Sequence, residues 1–354
     1  MKLINTVDAE GTVLCHDITQ IIRGVTKDAV FRKGHIVTKE DIPVLLSVGK
    51  DQLYVWEKEE GMLHENEAAE ILCAMCQGGH MERSGVKEGK IELRAACDGL
   101  LKVNNQALKA VNGFGRMMIA SRHGNFPVKA GDKLAGTRII PLVIEEEQME
   151  QARAKAMELT GGRPILELKP FRHKKAGIVT TGNEVYYGRI QDTFTPVIVD
   201  KLAEFGAEVM GHVTWNDDDK KVTAAILELI EQGAEIVLCT GGMSVDPDDK
   251  TPLAIKNTGA RIVSYGAPVL PGAMFLLAYY ETEGNGETPS RTVPIMGLPG
   301  CVMYAKRTIF DLILPQIMAD DEVTGEELAA LGQGGLCLDC ETCTFPNCGF
   351  GKGM

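Results

Sequence analysis

The sequence predicts an α/β protein whose second half is a three-layer α/β/α domain with a mostly parallel sheet. Three observations predict it. From Lys174 onward, continuous apolar runs of strand length recur, Glu235-Ile236-Val237-Leu238-Cys239 being the clearest, and such runs suit strands buried on both faces. Segments of helical period alternate with them, which is the pattern of a parallel sheet covered on both sides. The helix punctuation also repeats: Thr195-Pro196 and Thr251-Pro252 each set a capping residue before proline, and Gly206 and Gly233 follow helix ends.

In chain order, 176–180 is a short buried strand followed by a long polar loop to Thr195. A helix then runs to Phe205, a strand covers 207–213, and a helix capped by Asp217 ends at Gly233. The strand 235–239 leads into Thr240-Gly241-Gly242, and another helix starts at Thr251-Pro252. Strands fit 261–264, 273–280 and 292–296, and a last helix is expected from Cys301 to about Ala319. Before residue 170 the rhythm differs. A capped short helix follows Thr38, a strand alternates over 51–56, and a helix spans 67–76. Short β segments are expected at 91–95, 100–103, 117–120 and 138–144, and a Glu-first helix over 145–159 suits the positive end of its dipole.

With 354 residues, the chain is long enough for two or three domains. Boundaries are expected at 1–170 for a mixed α+β accessory region (one or two subdomains), 171–320 for the α/β domain, and 321–354 for a short Gly/Cys-rich tail. Hydrophobic residues at 44% and charged residues at 24% exclude a disordered chain. No apolar run approaches the roughly 18–20 residues of a membrane span, and Asp8 and Glu10 leave no signal-peptide apolar core. A cytoplasmic location is therefore expected. A formal charge of −12 argues against nucleic-acid or membrane partners. Ten cysteines in a reducing compartment read as core thiols, metal ligands or redox groups. Cys73 and Cys76 share one face of a helix and are expected to be buried core thiols, with a ligand pair as the alternative; Cys15, Cys97, Cys239 and Cys301, in apolar runs or at element starts, are read as buried thiols too.

Chemistry is expected beyond the carboxyl ends of the strands. Three loops there have unusual composition: Thr180-Thr181-Gly182-Asn183-Glu184, Thr240-Gly241-Gly242-Met243-Ser244 with its acidic continuation through Asp246, Asp248 and Asp249, and Leu298-Pro299-Gly300. Paired glycines let backbone N–H groups approach an anion, and Thr181, Thr240 and Ser244 add hydroxyl donors. Carboxylates beside such a cradle imply a divalent cation between them and a phosphate. Any one loop is explained by turns and helix caps; three at the strand ends of one domain point to a site. Walker A, dinucleotide-fingerprint, Gly-x-Ser-x-Gly and His-Glu-x-x-His patterns do not occur, which removes the kinase, dehydrogenase, serine hydrolase and zinc protease readings.

Taken in order with Gly188-Arg189-Ile190-Gln191-Asp192 and Thr251-Pro252, these loops resemble the molybdopterin-binding domain of molybdopterin adenylyltransferases, molybdopterin molybdotransferases and gephyrin. The resemblance covers about 175–320; the segment from Phe31 through Val55 is loosely similar to the molybdotransferase accessory region. The resemblance implies a ligand, molybdopterin or its adenylylated form, bound by Thr181, Gly182, Asn183, Thr240, Gly241, Gly242, Ser244, Thr251, Pro299 and Gly300. Glu184, Asp192 and Asp249 would be the catalytic carboxylates, with Mg²⁺ and molybdate as the inorganic partners. It also implies a homo-oligomer and contact with other cofactor-assembly proteins. The family usually has aspartate where Asn183 stands, and lysines near a Pro-Gly pair that are absent from 269–274. A carrier, sensor or assembly factor that binds molybdopterin without transferring metal is the alternative function. Finally, Cys337, Cys340, Cys343 and Cys348 follow a Cys-x2-Cys-x2-Cys-x4-Cys spacing close to the ferredoxin run. An Fe-S cluster or Zn is expected there, against the alternative of reduced or disulfide-paired thiols, on a flexible attachment through Gly332, Gly334 and Gly335.

Overall fold

The computed structural model describes residues 2–22, 26–55, 60–244, 246, 249–284 and 289–353; Asp248 and the last residue of the strand expected over 51–56 lie outside them. The chain forms two compact units, one from Met1–Ala96, Val103–Arg122 and Ala130–Leu168, the other from Cys97–Lys102, His123–Lys129 and Lys169–Met354. No helix among the described residues is long and apolar enough to cross a membrane.

In the first unit, a four-stranded antiparallel sheet has the order Met81–Arg83, Lys90–Ala95, Lys133–Ile139, Met117–Ser121. The strand expected over 138–144 is two strands, Lys133–Ile139 and Val143–Glu145. Pro141 lies between them and lacks the N–H needed to continue a ladder. A helix at Asn105–Asn112 was not expected; Asn104 caps it by accepting from the Ala107 N–H at 2.9 Å. The helices Glu65–Cys76 and Glu146–Thr160 match the sequence-based expectation within two residues. Cys73 and Cys76 are buried on the first of these, and burial raises both thiols. Residues up to Val55 enclose a small core of Ala9, Leu14, Ile18, Val37, Leu45 and Leu53.

The second unit carries β1 (Lys175–Thr181), α1 (Asn183–Tyr186), α2 (Phe194–Ala203), β2 (Glu208–Trp215) and α3 (Asp219–Glu231). After them come β3 (Ile236–Thr240), α4 (Thr251–Asn257), β4 (Arg261–Tyr265), β5 (Leu276–Glu281), β6 (Thr292–Leu298), α5 (Ile309–Met318) and α6 (Gly325–Ala330). The strands form one six-stranded sheet in the order β2-β1-β3-β6-β5-β4, parallel except for β5, which runs against both neighbours.

Period-two alternation sorts the strand side chains between two apolar layers. Ala176, Ile178, Ile236, Leu238, Met296 and Leu298 pack with α2 and α5. Val179, Val237, Cys239, Val293 and Ile295 pack with α3 and α4. This is the expected three-layer α/β/α arrangement. Gly177 and Gly211 lie under Leu229 of α3, where a Cβ would stand 3.0 and 2.9 Å from the Leu229 methyl carbons. Cys239 is fully buried, and burial pushes its thiol up to about 12. Cys97 and Cys301, expected to be buried, are only half-buried: Cys97 precedes the Asp98-Gly99 turn and Cys301 lies in a 3-10 turn.

The helix expected from Cys301 to Ala319 is divided into the 3-10 turn Gly300–Met303 and α5. A capping box restarts it. The Thr308 hydroxyl accepts from the Phe310 N–H at 3.2 Å, and the Asp311 carboxylate accepts from the Thr308 N–H at 2.7 Å. Asp311 also holds α5 to α2, because Lys201 Nζ donates to its Oδ1 at 2.6 Å, with the two side chains only 9% and 4% exposed. Arg307 donates to the same oxygen at 2.8 Å.

Removing one partner of a buried pair leaves an uncompensated charge, a loss of about 3–5 kcal/mol. Asp311→Ala should therefore lower the urea midpoint of this domain by that equivalent. Replacing both partners, Lys201→Met with Asp311→Leu, should retain far more stability. Equal losses in the two variants would contradict this reading of the pair.

Candidate functional site

β1, β3 and β6 are adjacent and parallel, with Thr180 opposite Thr240 and Thr240 opposite Leu298. The loops that begin at Thr181, Gly241 and Pro299 therefore leave from neighbouring strand ends at one edge of the sheet. Pro299 is buried, and Gly300 opens the 3-10 turn facing open space.

The glycines are required by geometry. Gly241 and Gly242 take φ of +81° and +55°, a region that disfavours side chains. A Cβ at Gly241 would run into the Thr181 carbonyl oxygen, and one at Gly242 would stand 2.9 Å from Thr251 Oγ1 and 3.2 Å from Thr181 Oγ1. Backbone alone fits between the ends of β1, β3 and α4. Gly182 has φ of +132°, and the Glu184 carboxylate lies back over it.

Beneath the loops is a buried hydroxyl network. Thr181 donates its hydroxyl to the Thr240 carbonyl at 3.1 Å or shares the proton with Thr251 Oγ1 at 2.9 Å. Thr240 donates to Thr180 Oγ1 at 3.2 Å, and Thr180 reaches Thr195 Oγ1 at 3.2 Å and His212 Nε2 at 2.9 Å. Thr180, Thr181, Thr240 and Thr251 are at most 3% exposed. The hydroxyls read from sequence as anion donors at Thr181 and Thr240 thus bond within the protein, and they hold the strand ends in register. His212 was not singled out in the sequence, and Thr180 and Thr195 were read there only as a loop start and a helix cap.

The carboxylates differ in their engagement. Asp192 Oδ1 accepts from the N–H groups of Phe194 and Thr195 at 2.9 and 3.1 Å, and Oδ2 accepts from the Thr195 hydroxyl at 2.6 Å. Burial pushes its carboxyl up, but these donors and nearby His212 outweigh it and hold the group below the ordinary carboxylate range. Asp192 therefore also secures the start of α2. Asp249 accepts from the Ser244 N–H at 2.8 Å, closing the acidic loop on itself. Its charge adds to burial in raising Tyr265, whose hydroxyl donates to the Met243 carbonyl at 3.0 Å. The Asn183 N–H donates to Asp217 Oδ2 at 3.0 Å, and Glu184 and Asp246 are exposed. Among the described residues no three His, Cys, Asp or Glu side chains stand together as a ready metal site, so Glu184, Asp192 and Asp249 are not gathered round one point. Cys337, Cys340, Cys343 and Cys348 line a separate cavity to which none of these loop residues contributes.

Residues 177–319 match the family described as probable molybdopterin binding domain, and residues 3–57 match a domain of unknown function. CinA-like proteins from Mycolicibacterium vanbaalenii and Mycobacterium avium are each 40% identical over 78 residues, 22% of this chain and 18% of theirs. The matched stretch is thus less than a fifth of the length of these curated relatives. Two solved structures are also similar. The tungsten cofactor synthesizing protein MoaB from Pyrococcus furiosus is 21% identical, covering 43% of this chain and 99% of that one, with a TM-score of 0.34. The protein CinA from Thermoplasma acidophilum is 18% identical, covering 41% and 98%, with a TM-score of 0.30. The match to the family described as probable molybdopterin binding domain is confined to the α/β domain.

The Asp192 hydrogen bonds make a pH-dependent contribution with a defined sign. A carboxyl whose folded pKa is depressed stabilises fully above its unfolded value of about 3.9, and the stabilisation is lost as pH falls through the folded value. Asp192→Asn should therefore be less stable than the parent near neutral pH, and the gap should narrow below about pH 4. A gap that widens in acid, measured by urea unfolding across pH, would contradict the assignment.

Proposed function

We propose that the 177–319 domain binds molybdopterin, or its adenylylated form, by the terminal phosphate and assists molybdate insertion during molybdenum cofactor biosynthesis. The observation that carries this reading is the bare backbone at Gly241-Gly242, next in the sheet to the open Gly300 turn. Backbone N–H groups freed of side chains are what an anion needs for close approach. In this reading Gly182, Gly241, Gly242 and Gly300 receive the phosphate, Ser244 and Asn183 border it, and Pro299 shapes the neighbouring wall. The buried Thr180, Thr181, Thr240 and Thr251 hydroxyls set the loops without touching the ligand. Asp192 is a positioning residue, since its oxygens already hold the start of α2.

Glu184 and Asp249 supply oxygen donors of the kind Mg²⁺ takes, and that ion usually combines one or two carboxylates with substrate phosphates and water. When bound there it supplies charge neutralisation between phosphate and carboxylate. Molybdate is substrate rather than resident metal. The protein's own part is to orient the pterin and exclude misplacement of its phosphate, a contribution through positioning rather than covalent chemistry. A cytoplasmic setting, a homo-oligomeric state and encounters with other cofactor-assembly proteins belong to the same reading.

A second reading, binding without turnover, draws on two observations. Asp192 is tied into a helix start, and 269–274 contains no lysine to pair with an oxyanion. Anaerobic titration with molybdopterin tests binding, and molybdate-dependent release of nucleotide from the adenylylated pterin tests turnover. Gly300→Val, placed where a side chain meets open space, should keep the fold by circular dichroism and weaken binding by about 10- to 100-fold, the equivalent of one or two charge-assisted hydrogen bonds. Unchanged binding by that variant would remove the cradle. Tight binding with no nucleotide release would select the carrier.

A further inference from the structure

The Cys-rich segment is built into the α/β domain rather than flexibly attached. Leu270 and Leu336 form a parallel bridge: the Leu270 N–H donates to the Gly335 carbonyl, and the Cys337 N–H donates to the Leu270 carbonyl, both at 2.8 Å. Gly334 accepts from the Gly351 N–H at 2.9 Å. A side chain at Gly335 would enter the Pro268 and Leu331 carbonyls, and one at Gly351 would enter Leu312 of α5. Phe350 is 4% exposed, and Phe345 packs between it and Phe126, with ring centroids 6.2 and 5.8 Å away. The glycines at 334, 335 and 351 therefore permit close packing.

This packing places four free thiols, Cys337, Cys340, Cys343 and Cys348, around one cavity of about 470 Å³. Cys340 and Cys343 are exposed, while Cys337 and Cys348 are half-buried against the apolar core. Tyr304, Leu336, Phe345 and Phe350 supply an apolar wall. Lys306 crosses the segment, donating to the Cys340 and Glu341 carbonyls at 2.9 Å each, and so sets an ammonium beside the thiols. Arg307 stacks its guanidinium 5.2 Å from the Phe345 ring centre.

We propose that Cys337, Cys340, Cys343 and Cys348 ligate an iron–sulfur cluster in this cavity. The ligand set is all thiolate, with the spacing of a cluster-binding run. All four residues line the one cavity, and among the described residues no three of them converge as a ready site for a single metal ion. A single zinc ion needs four donors at about 2.3 Å from one centre, whereas a cluster spreads its thiolates round a larger body. Such a group is anionic, and the cavity would offer it the Lys306 ammonium together with the buried Phe350, while Tyr304 and Leu336 of the lining are exposed. Tyr304 of the lining directly follows the turn Gly300–Met303, so the cavity and the third strand-end loop share one stretch of chain. The proposal does not rest on the pterin reading.

The test uses the full chain, purified anaerobically and reconstituted with ferric iron, sulfide and a thiol reductant that brings part of the iron to the ferrous state. About four irons and four acid-labile sulfides per chain, with thiolate-to-iron absorption in the visible that bleaches on dithionite addition, are expected. Cys340→Ser with Cys343→Ser, chosen because both side chains are exposed, should lose the iron and sulfide while keeping the circular dichroism spectrum. Cys97→Ser, outside the cavity, should keep them. Zinc bound in preference to iron, four thiols that alkylate freely after reconstitution, or full iron content in the Cys340/Cys343 double variant would each overturn the proposal.

Discussion

The strand-end edge depends on one close approach, the backbone of Gly241 against the carbonyl of Thr181. Two parallel strands end side by side there, and the turn leaving β3 must pass over the end of β1. Only a residue without a Cβ, at positive φ, makes that passage. Once it is made, Gly242 falls beside the hydroxyls of Thr181 and Thr251, and α4 starts with its Thr251 N–H bonded to the Gly242 carbonyl at 3.3 Å. The loop's conformation, the threonine network and the helix that follows are consequences of one packing restriction.

The rest of the domain supports that edge. Alternating side chains give each strand two apolar faces, and the helix pairs α2/α5 and α3/α4 cover one face each. Lys201, Asp311 and Arg307 tie the first pair, with Asp311 serving at the same time as the N3 residue of the α5 capping box. Asp192 does the equivalent at the start of α2, so the polar groups nearest the loops are engaged in fixing helix starts. An anion site made of backbone N–H groups gains from such rigidity, because the donors are oriented before the ligand arrives.

The α/β domain was legible because its strands are buried on both faces and read as unbroken apolar runs, as 235–239 does. The glycine loops were legible because a glycine pair directly after a buried strand marks a turn in which the backbone itself must lie close to something. What escaped was set by tertiary context. Pro141 divides a stretch that reads as one strand, and Thr308 with Asp311 restarts a helix that reads as continuous from Cys301. The threonine hydroxyls read as ligand donors because hydroxyl chemistry is visible in sequence, while their partners across the sheet, Thr180 with Thr240 and Thr181 with Thr251, are not. The glycines before the cysteines read as flexible for a similar reason: sequence shows the missing side chain but not the carbonyls of Pro268 and Leu331 that require it to be missing.

Hydrogen–deuterium exchange on the full chain, with and without molybdopterin under anaerobic conditions, tests the central claim most directly. If bare backbone at the strand ends receives the phosphate, the amides of Gly241, Gly242 and Gly300 gain protection on binding while the buried amides of β1 and β3 stay as slow as before. Saturating molybdopterin that leaves those three amides unchanged, and protects a different part of the chain, would contradict it.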